Sequence, residues 1–440
     1  MTGNRELNNP EAQVEPTRLK KIMASSVSSF SEFKEGWKIV LASTLGIGLG
    51  LSPVPFYTLG MLAPELSKEF GWGFGEIMTG LTISTLVVLF FSPIVGNLAD
   101  RFGVRKVILC SVVMFSFSFA LFAFGNGSLM MFYITWGIMA ALGAGTLPIT
   151  WTRGVNLWFE RKKGLALGLS LIGTGLFGAM IKPVAAWMIV EFGWRMTYLA
   201  IAAMPLIVAF PIAFFCFYES PKTKSIAKKQ QLDHEPVKDF PGLTMAEVFR
   251  DSKFWILCIA ILPISFAVGG PIPNMENLLA TKGFDTFEIA SIVPLIGISV
   301  LFGRLIGGWL IDHFWAPGVA FILLSLPAAA CWVLGTVELN MVIAMISVFM
   351  IGFAAGVEYD LLAFLIARYF GMKSYSTIYG FVYGAFALGA GIGPMTFGII
   401  FDKTKSYDSI MIFSMTVMLI GATLLLLLGK YRDFSQPQGK

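Results

Sequence analysis

The sequence predicts an all-α membrane protein: twelve transmembrane helices in two pseudo-symmetric six-helix bundles, with both termini cytoplasmic. Three observations predict it. The 440-residue chain is 56% hydrophobic and 13% charged, with a mean hydropathy of +0.75, so its main solvent is lipid. Twelve apolar runs reach the roughly 18–20 residues that carry a helix across a hydrocarbon core of about 30 Å. The stretch from Gly71 to Asp100 is also written again 212 positions later, where Gly71, Glu76, Ile77, Gly96 and Asp100 recur as Gly283, Glu288, Ile289, Gly308 and Asp312. A membrane-length helix repeated at half the chain length points to two similar bundles.

Charge sets the topology. Of the 32 Lys and Arg, 24 fall in loops on one side of a twelve-span arrangement, 5 on the other (Lys68, Arg195, Lys282, Lys403, Lys405) and 3 inside apolar runs. The richer side is the cytoplasmic one, which places both termini there. The formal net charge of +5 is therefore a topology signal and not a nucleic-acid footprint. Cys110, Cys216, Cys258 and Cys331 all lie in apolar runs and are expected to be small buried hydrophobes.

Residues 1–35 form a polar, Ser-rich tail that is expected to be disordered. The first apolar run is too long and too rich in glycine for a cleaved signal peptide, so it is expected to remain as helix 1. The first bundle covers 36–218. Helix 1 holds Gly46, Gly48 and Gly50, then Pro53-Val54-Pro55-Phe56-Tyr57. Helix 7 repeats the device with Gly269, Gly270 and Pro271-Ile272-Pro273-Asn274. Such residues loosen a helix, and the freed backbone groups are tolerated only inside protein or beside a cavity. These outer stretches are candidates for a flexible outer gate; a kink that improves packing is the other reading.

Helix 2 ends in GNLADRFGVRK, and helix 3 reaches the turn Gly125-Asn126-Gly127. Helix 4 carries Gly143, Gly145, Pro148 and Arg153 and runs into WFERKKGLALG; helix 5 holds Gly173, Gly175, Gly178 and Lys182-Pro183 before helix 6 closes the bundle. A charged linker, 219–253, ends in a capping box at Thr244 and Glu247, which predicts a short helix on the cytoplasmic face. The second bundle covers 254–429, with helices 8 to 12 near 288–311, 316–336, 340–370, 377–401 and 409–428, and a tail of 430–440 follows. Gly145 and Phe159 return as Gly356 and Phe370, small and large residues suited to close helix packing in lipid.

Charges in the hydrocarbon carry the chemistry, since each costs about 2.5–3.5 kcal/mol on insertion scales unless paired or hydrated. Arg153, Lys182, Arg304, Glu358 and Asp360 lie in the runs. At about 1.5 Å per residue, Arg304 and Glu358 fall at similar depth, somewhat inside the midplane. Glu358 and Asp360 stand about 200° apart around their helix, so only one readily faces Arg304. Either Arg304 binds a substrate carboxylate while the neighbouring acid carries a proton, or the pair is a permanent brace. Lys182 lines a wet path, pairs across the bundle or snorkels outward. Arg153, nearer the cytoplasm, suits snorkelling or an inner-gate contact. Tyr57, Asn274, Tyr359 and Tyr383 are candidate hydrogen-bonding groups for a substrate, with packing as the alternative.

The loop Gly96-x-x-x-Asp100-Arg101-x-Gly103-x-Arg105-Lys106 has a different expected role. Gly96 allows close helix approach, and the charges latch helices in one state and release them in another. Asp312 and Asp402 end helices 8 and 11 in the same Gly-x-x-x-Asp style. The histidines are His234 and His313, and no nucleophile–base pair, metal spacing or phosphate loop is present. The sequence thus predicts no enzyme, no metal and no cofactor.

These residues resemble the major facilitator superfamily over nearly the whole chain, with GNLADRFGVRK similar to its loop signature between helices 2 and 3. WFERKKGLALG resembles the helix 4–5 signature of the monocarboxylate porter family, which includes bacterial oxalate–formate exchangers. Glu35-Gly36-Trp37 is similar to that family's lead into helix 1, and Arg304 falls where the family carries a substrate-binding arginine. The chain departs from the pattern at Val300, where animal members have an acid, and at Pro55-Phe56-Tyr57, near their helix 1 lysine. It also lacks the oxalate exchanger's helix 11 lysine. Glu358 and Asp360 stand in for the missing acid and Lys182 for the missing cation.

The resemblance implies a secondary transporter moving a small or medium organic anion by alternating access, with protons as the coupled ion. A lipid bilayer, expected to be a bacterial inner membrane, is its solvent; no nucleic acid partner is expected, and a monomer suffices. Anion exchange, proton-coupled efflux of hydrophobic compounds and a non-transporting solute sensor are the alternatives.

Overall fold

The computed structural model describes residues 33–159, 163–218, 242–371 and 373–432, without the side chains of Asp100, Leu157, Lys163, Tyr359 and Ser376. The expected tail disorder, Arg161, Lys162, His234 and most of the linker fall outside this set. Inner and outer are used below as the charge asymmetry assigns them.

The helices follow the apolar runs. In the first bundle α1 covers 33–48 and, after a break, Pro53–Phe70; α2 is Phe74–Phe102 and α3 is Val104–Ala120. Helix α4 runs over Leu129–Gly143 and, after a second break, Pro148–Trp158. A continuous run from Lys163 to Met204 is divided at Gly193, whose φ of 76° no helix allows; α5 precedes it, and α6 follows and ends at Cys216. The second bundle comprises α7 (Ser252–Gly269 and Pro271–Thr281), α8 (Thr286–Ile292 and Leu295–His313) and α9 (Ala316–Thr336). It closes with α10 (Met341–Phe370), α11 (Tyr375–Thr404) and α12 (Asp408–Leu426). Among the described residues, eleven helical stretches are long and apolar enough to span a membrane, and the 52-residue one containing α5 and α6 counts twice. Phe90, Phe124, Val190, Phe215 and Phe287, each well over half exposed, form part of the lipid-facing surface. Of the cysteines, Cys331 is buried, Cys216 and Cys258 are half-buried, and Cys110 is exposed, which corrects the expectation for that residue.

The sequence repeat encodes turn and cap chemistry. Gly71 and Gly283 hold φ of 71° and 92°, a left-handed conformation that reverses the chain outside the membrane. Glu76 accepts a hydrogen bond from Gly73 N–H at 2.9 Å, and Glu288 one from Asp285 N–H at 3.0 Å, while Asp285 accepts from Glu288 N–H at 2.8 Å. The repeated glutamate is thus a helix cap.

The broken helices repair one another. Leu51 N–H, freed at the α1 break, donates to Thr146 Oγ1 in the α4 break at 2.9 Å, and that hydroxyl donates to Gly143 O at 2.7 Å. The expected short helix is Met245–Arg250, capped by Glu247, whose carboxylate accepts from Thr244 N–H and Oγ1–H at 2.7 and 2.8 Å. Those bonds hold the Glu247 carboxyl below its ordinary range. Just before it, Leu243 N–H donates to Phe370 O at 2.9 Å, tying the linker to the inner end of α10. Gly36 stands where a Cβ would come 2.5 Å from the Phe159 ring, so the first turn of α1 packs closely on the end of α4.

The two bundles meet tightly on the outer side. A Cβ at Gly60 of α1 would strike Pro273 O of α7, one at Gly75 of α2 would stand 2.6 Å from Ile399 of α11, and one at Gly175 of α5 would stand 2.7 Å from Gly297 O of α8. Asp402, at the outer end of α11, accepts from Phe74 N–H at 2.9 Å and Gly75 N–H at 2.7 Å, capping α2 across the bundle boundary. Toward the inner ends of α2, α5, α8 and α11, a Cβ at Gly96, Gly168, Gly308 or Gly380 would meet no atom. The bundles are thus packed together on the outer side, and among the described residues these four inner glycines are not part of a close helix contact. Losing the Asp402 cap, as in Asp402→Ala, should weaken the outer seal by about 0.5–2 kcal/mol, about 2- to 30-fold in the gate equilibrium. External thiol labelling of a cysteine at Thr85, which packs on Gly391 in the same seam, should accelerate accordingly.

Candidate functional site

The candidate site is built on Arg304, and glycines set its depth. Gly303 and Gly356 bring α8 and α10 into backbone contact: a Cβ at Gly303 would strike Phe353 O, and one at Gly356 would strike Val300 O and stand 3.0 Å from Arg304 N. This packing holds Arg304 beside α10, with Nη1 3.4 Å from Asp360 Oδ1. The Arg304 side chain is 9% exposed and that of Asp360 33%, so the acid is the more accessible partner. Of the two acids weighed against Arg304, Asp360 makes this contact. Glu358 is buried, its Oε2 makes no hydrogen bond among the described residues, and the Arg304 charge still acts on it.

Further outward the polar groups continue. Tyr57 of α1 packs against Gly178 of α5, where a Cβ would approach its ring to 2.6 Å, and the charges of Arg304 and Glu358 reach its phenol. Lys182 Nζ lies 6.0 Å from the Tyr57 ring centroid and donates to Glu276 Oε1 of α7. Both partners are almost fully buried, and Glu276 Oε2 makes no hydrogen bond among the described residues. On the inner side, Tyr375, Tyr379, Tyr383 and Phe386 form a ladder along α11, with ring centroids 5.9, 6.0 and 5.7 Å apart. The charges of Asp360 and Arg304 reach the Tyr379 phenol. Polar and aromatic groups thus occur at several depths, from the Lys182–Glu276 pair through Arg304 and Asp360 to the α11 tyrosines.

Several expected residues stand elsewhere. Asn274 is committed within the protein: its amide donates to Gly270 O at 2.9 Å and Pro394 O at 3.2 Å, and its Oδ1 accepts from Tyr407 at 3.4 Å. It fastens the α7 break to α11. Gly96 meets open space and so mediates no close helix approach in this state. Arg105 donates to Phe214 O at 2.5 Å and lies 5.5 Å over that ring, so it ties α3 to α6 inside one bundle and makes no bridge to the other through this contact. Arg101 and Asp312 are exposed at inner helix ends, and Arg153 is exposed on the inner half of α4. Asp402 belongs to the outer seal, whereas Asp312 ends its helix on the inner side. The Asp100 and Tyr359 side chains lie outside the described residues. Among the described residues no group of three or more His, Cys, Asp or Glu is placed to hold a metal.

Two features escaped the sequence reading. Glu276 sits inside the helix 7 run and is the acid that Lys182 lacks nearby in sequence; its place in an apolar stretch was the available signal. The tyrosine ladder is written as Tyr375, Tyr379 and Tyr383, a four-residue spacing that lines one helix face.

Comparison with known proteins agrees with this architecture. The family model described as Major Facilitator Superfamily matches residues 45–394. A protein of Bos taurus called monocarboxylate transporter 13 is 24% identical over 416 residues, covering 92% of each chain. An uncharacterized 38 kDa protein of Thermoproteus tenax is 28% identical over 349 residues, covering 78% of this chain and 84% of its own. The crystal structure of a bacterial homolog to the human lysosomal transporter Spinster superposes with a TM-score of 0.68, covering 89% of this chain and 96% of that one at 16% identity.

Proposed function

Because this chain belongs to the Major Facilitator Superfamily of membrane transporters, a family of solute carriers and not of enzymes, we propose that it moves a monocarboxylate-like organic anion together with a proton. Transport proceeds by alternating access, by a monomer, in a bacterial inner membrane. The name of the Bos taurus relative points to the same substrate class.

The Arg304–Asp360 contact carries the reading. At 3.4 Å it is longer than the about 2.7–2.9 Å of a tight charge-assisted bond, so an incoming carboxylate competes with Asp360 at small cost. A substrate carboxylate that takes the guanidinium leaves the partly exposed Asp360 without its counter-charge, and it then carries the coupled proton. One carboxylate and one proton are added together: the guanidinium then faces the substrate carboxylate while Asp360 is neutral, and the site carries no net charge through the membrane. Tyr57, Tyr383 and Tyr359 offer hydroxyl groups, and the α11 ladder suits an acid with an apolar or aromatic body. Glu358 is a second candidate proton carrier. Closure of the inner side would bring Gly96, Arg101, Arg153 and Asp312 toward the opposite bundle, which is the gating role we assign to that layer.

The test is uptake of labelled carboxylates into proteoliposomes, with and without an inward proton gradient. Gradient-driven uptake should fall at least about 30-fold in Arg304→Ala, as expected when removing one member of a buried charge pair costs about 2 kcal/mol or more. Uptake that requires internal anion and ignores the gradient would make the protein an exchanger. Flux equal in both proteins would remove Arg304 from the site, and flux of hydrophobic compounds alone would favour efflux.

A further inference from the structure

The Lys182–Glu276 pair joins α5 of one bundle to α7 of the other, at the seam where Gly60 packs on Pro273 and Glu276. The pair is buried from all sides in the closed outer gate, with side-chain exposures of 2% and 8%. When the bundles part on the outer side, the pair must separate and both groups meet water. On reclosing, the same pocket must again be dry. A buried pair is tolerated, whereas one buried charge without its partner is strongly disfavoured. The outer gate therefore responds to the net charge held between α5 and α7.

From this geometry we infer that Lys182 and Glu276 form a charge lock on the outer gate, which closes either empty or with one carboxylate and one proton together. The inference rests on the organic-anion reading above. Four occupancies define it. Empty, Lys182 ammonium faces Glu276 carboxylate and the pocket is neutral. With a substrate carboxylate on Lys182 and a proton on Glu276, before both pass inward to Arg304 and Asp360, the pocket is again neutral. A proton alone leaves Lys182 uncompensated, and an anion alone leaves an excess negative charge, so both hold the gate open. The proton goes to Glu276 from external water, and no covalent bond changes otherwise. One carboxylate and one proton per cycle is the result.

The surroundings permit this assignment. Lys182 faces Glu276 from α5, with the Tyr57 ring of α1 beside the ammonium. The Tyr407 phenol, at the start of α12, feels both Glu276 and Asp402 of α11, and Asn277 donates to that phenol at 2.8 Å. Asp402 is held by the α2 backbone N–H groups, which leaves Lys182 as the cation answering Glu276. The second oxygen of Glu276, buried without a hydrogen bond among the described residues, has room in its chemistry for the proton.

The experiment compares wild type with Glu276→Gln, an isosteric neutral side chain that imitates the protonated acid. Exchange of labelled for unlabelled carboxylate at equal pH uses only loaded closures and should remain within about threefold of wild type. Net uptake driven by a proton gradient needs the empty closure and should fall more than about tenfold, because that closure now buries Lys182 alone. Equal loss of both modes would make the pair a brace and overturn the lock, as would full retention of both. Wild-type protein that moves no carboxylate in either mode would instead overturn the organic-anion reading.

A second measurement needs no substrate. Spin labels at the exposed outer residues Asn126 and Glu338, with the native cysteines replaced, report the outer separation. Acidification should enlarge the long-distance population in wild type, while Glu276→Gln should show it at every pH. A wild-type distribution that ignores pH overturns the lock.

Discussion

Gly303→Val and Gly356→Val should each abolish transport and lower the unfolding midpoint in detergent, while Gly308→Ala should leave the fold intact. The first two positions are where α8 and α10 touch through their backbones: Cβ atoms there would strike Phe353 O and Val300 O. A carbonyl in a helix has no rotamer to adopt, so the helices must move apart. Overpacking of this kind costs about 1–3 kcal/mol, and a β-branched side chain against backbone lies at the upper end. The functional loss should exceed the loss of stability. Arg304 follows Gly303 directly, and Arg304 N is 3.0 Å from the Gly356 Cβ position, so separating the helices withdraws the guanidinium from Asp360. Gly308 lies on the same helix just over one turn further inward and meets open space. Alanine there should change stability by no more than about 1 kcal/mol, in the stabilising direction. Equal midpoints for Gly303→Val and Gly308→Ala would mean that the α8–α10 contact does not set the site.

These positions also show what the sequence could and could not reveal. Gly356 was recognisable from its echo of Gly145, and Gly71, Glu76, Gly283 and Glu288 from their fixed spacing, because turns and caps are local chemistry. The depth of Arg304 against the α10 acids followed from helical rise alone. Partner choice across the bundles did not. Lys182 meets Glu276 94 positions away and Asp402 caps Phe74 328 positions away, and no periodicity within either segment encodes such pairs. Asn274 read as a substrate group because an amide in an apolar run needs partners; that those partners are Gly270 O and Pro394 O depends on how α7 breaks against α11. The repeated Gly96 and Gly308 were legible as special without being legible in role. Their spacing marks them, whereas their neighbours depend on how the bundles are arranged.

The largest stability effect of a single charge removal should come from Lys182→Met, and the second substitution should cancel it. Methionine approximates the lysine stem, so packing on Tyr57 is largely kept, but the Glu276 carboxylate is left buried with neither oxygen paired through Lys182. Breaking a buried pair in this way costs about 3–5 kcal/mol. Acidification recovers part of that loss by neutralising the orphaned carboxylate. Replacing both residues, Lys182→Met with Glu276→Met, removes the desolvated charges together and should return the protein to within about 1 kcal/mol of wild type or above it. Unfolding midpoints of the four proteins form a double-mutant cycle whose interaction energy isolates the pair. Transport should not follow stability. The double variant closes its outer gate on an apolar seam whatever the occupancy, so it should fold well and lose the proton dependence of carboxylate flux. A double variant that regained both stability and proton-driven uptake would confine Lys182 and Glu276 to holding the bundles together, and would leave proton coupling to Asp360 and Glu358.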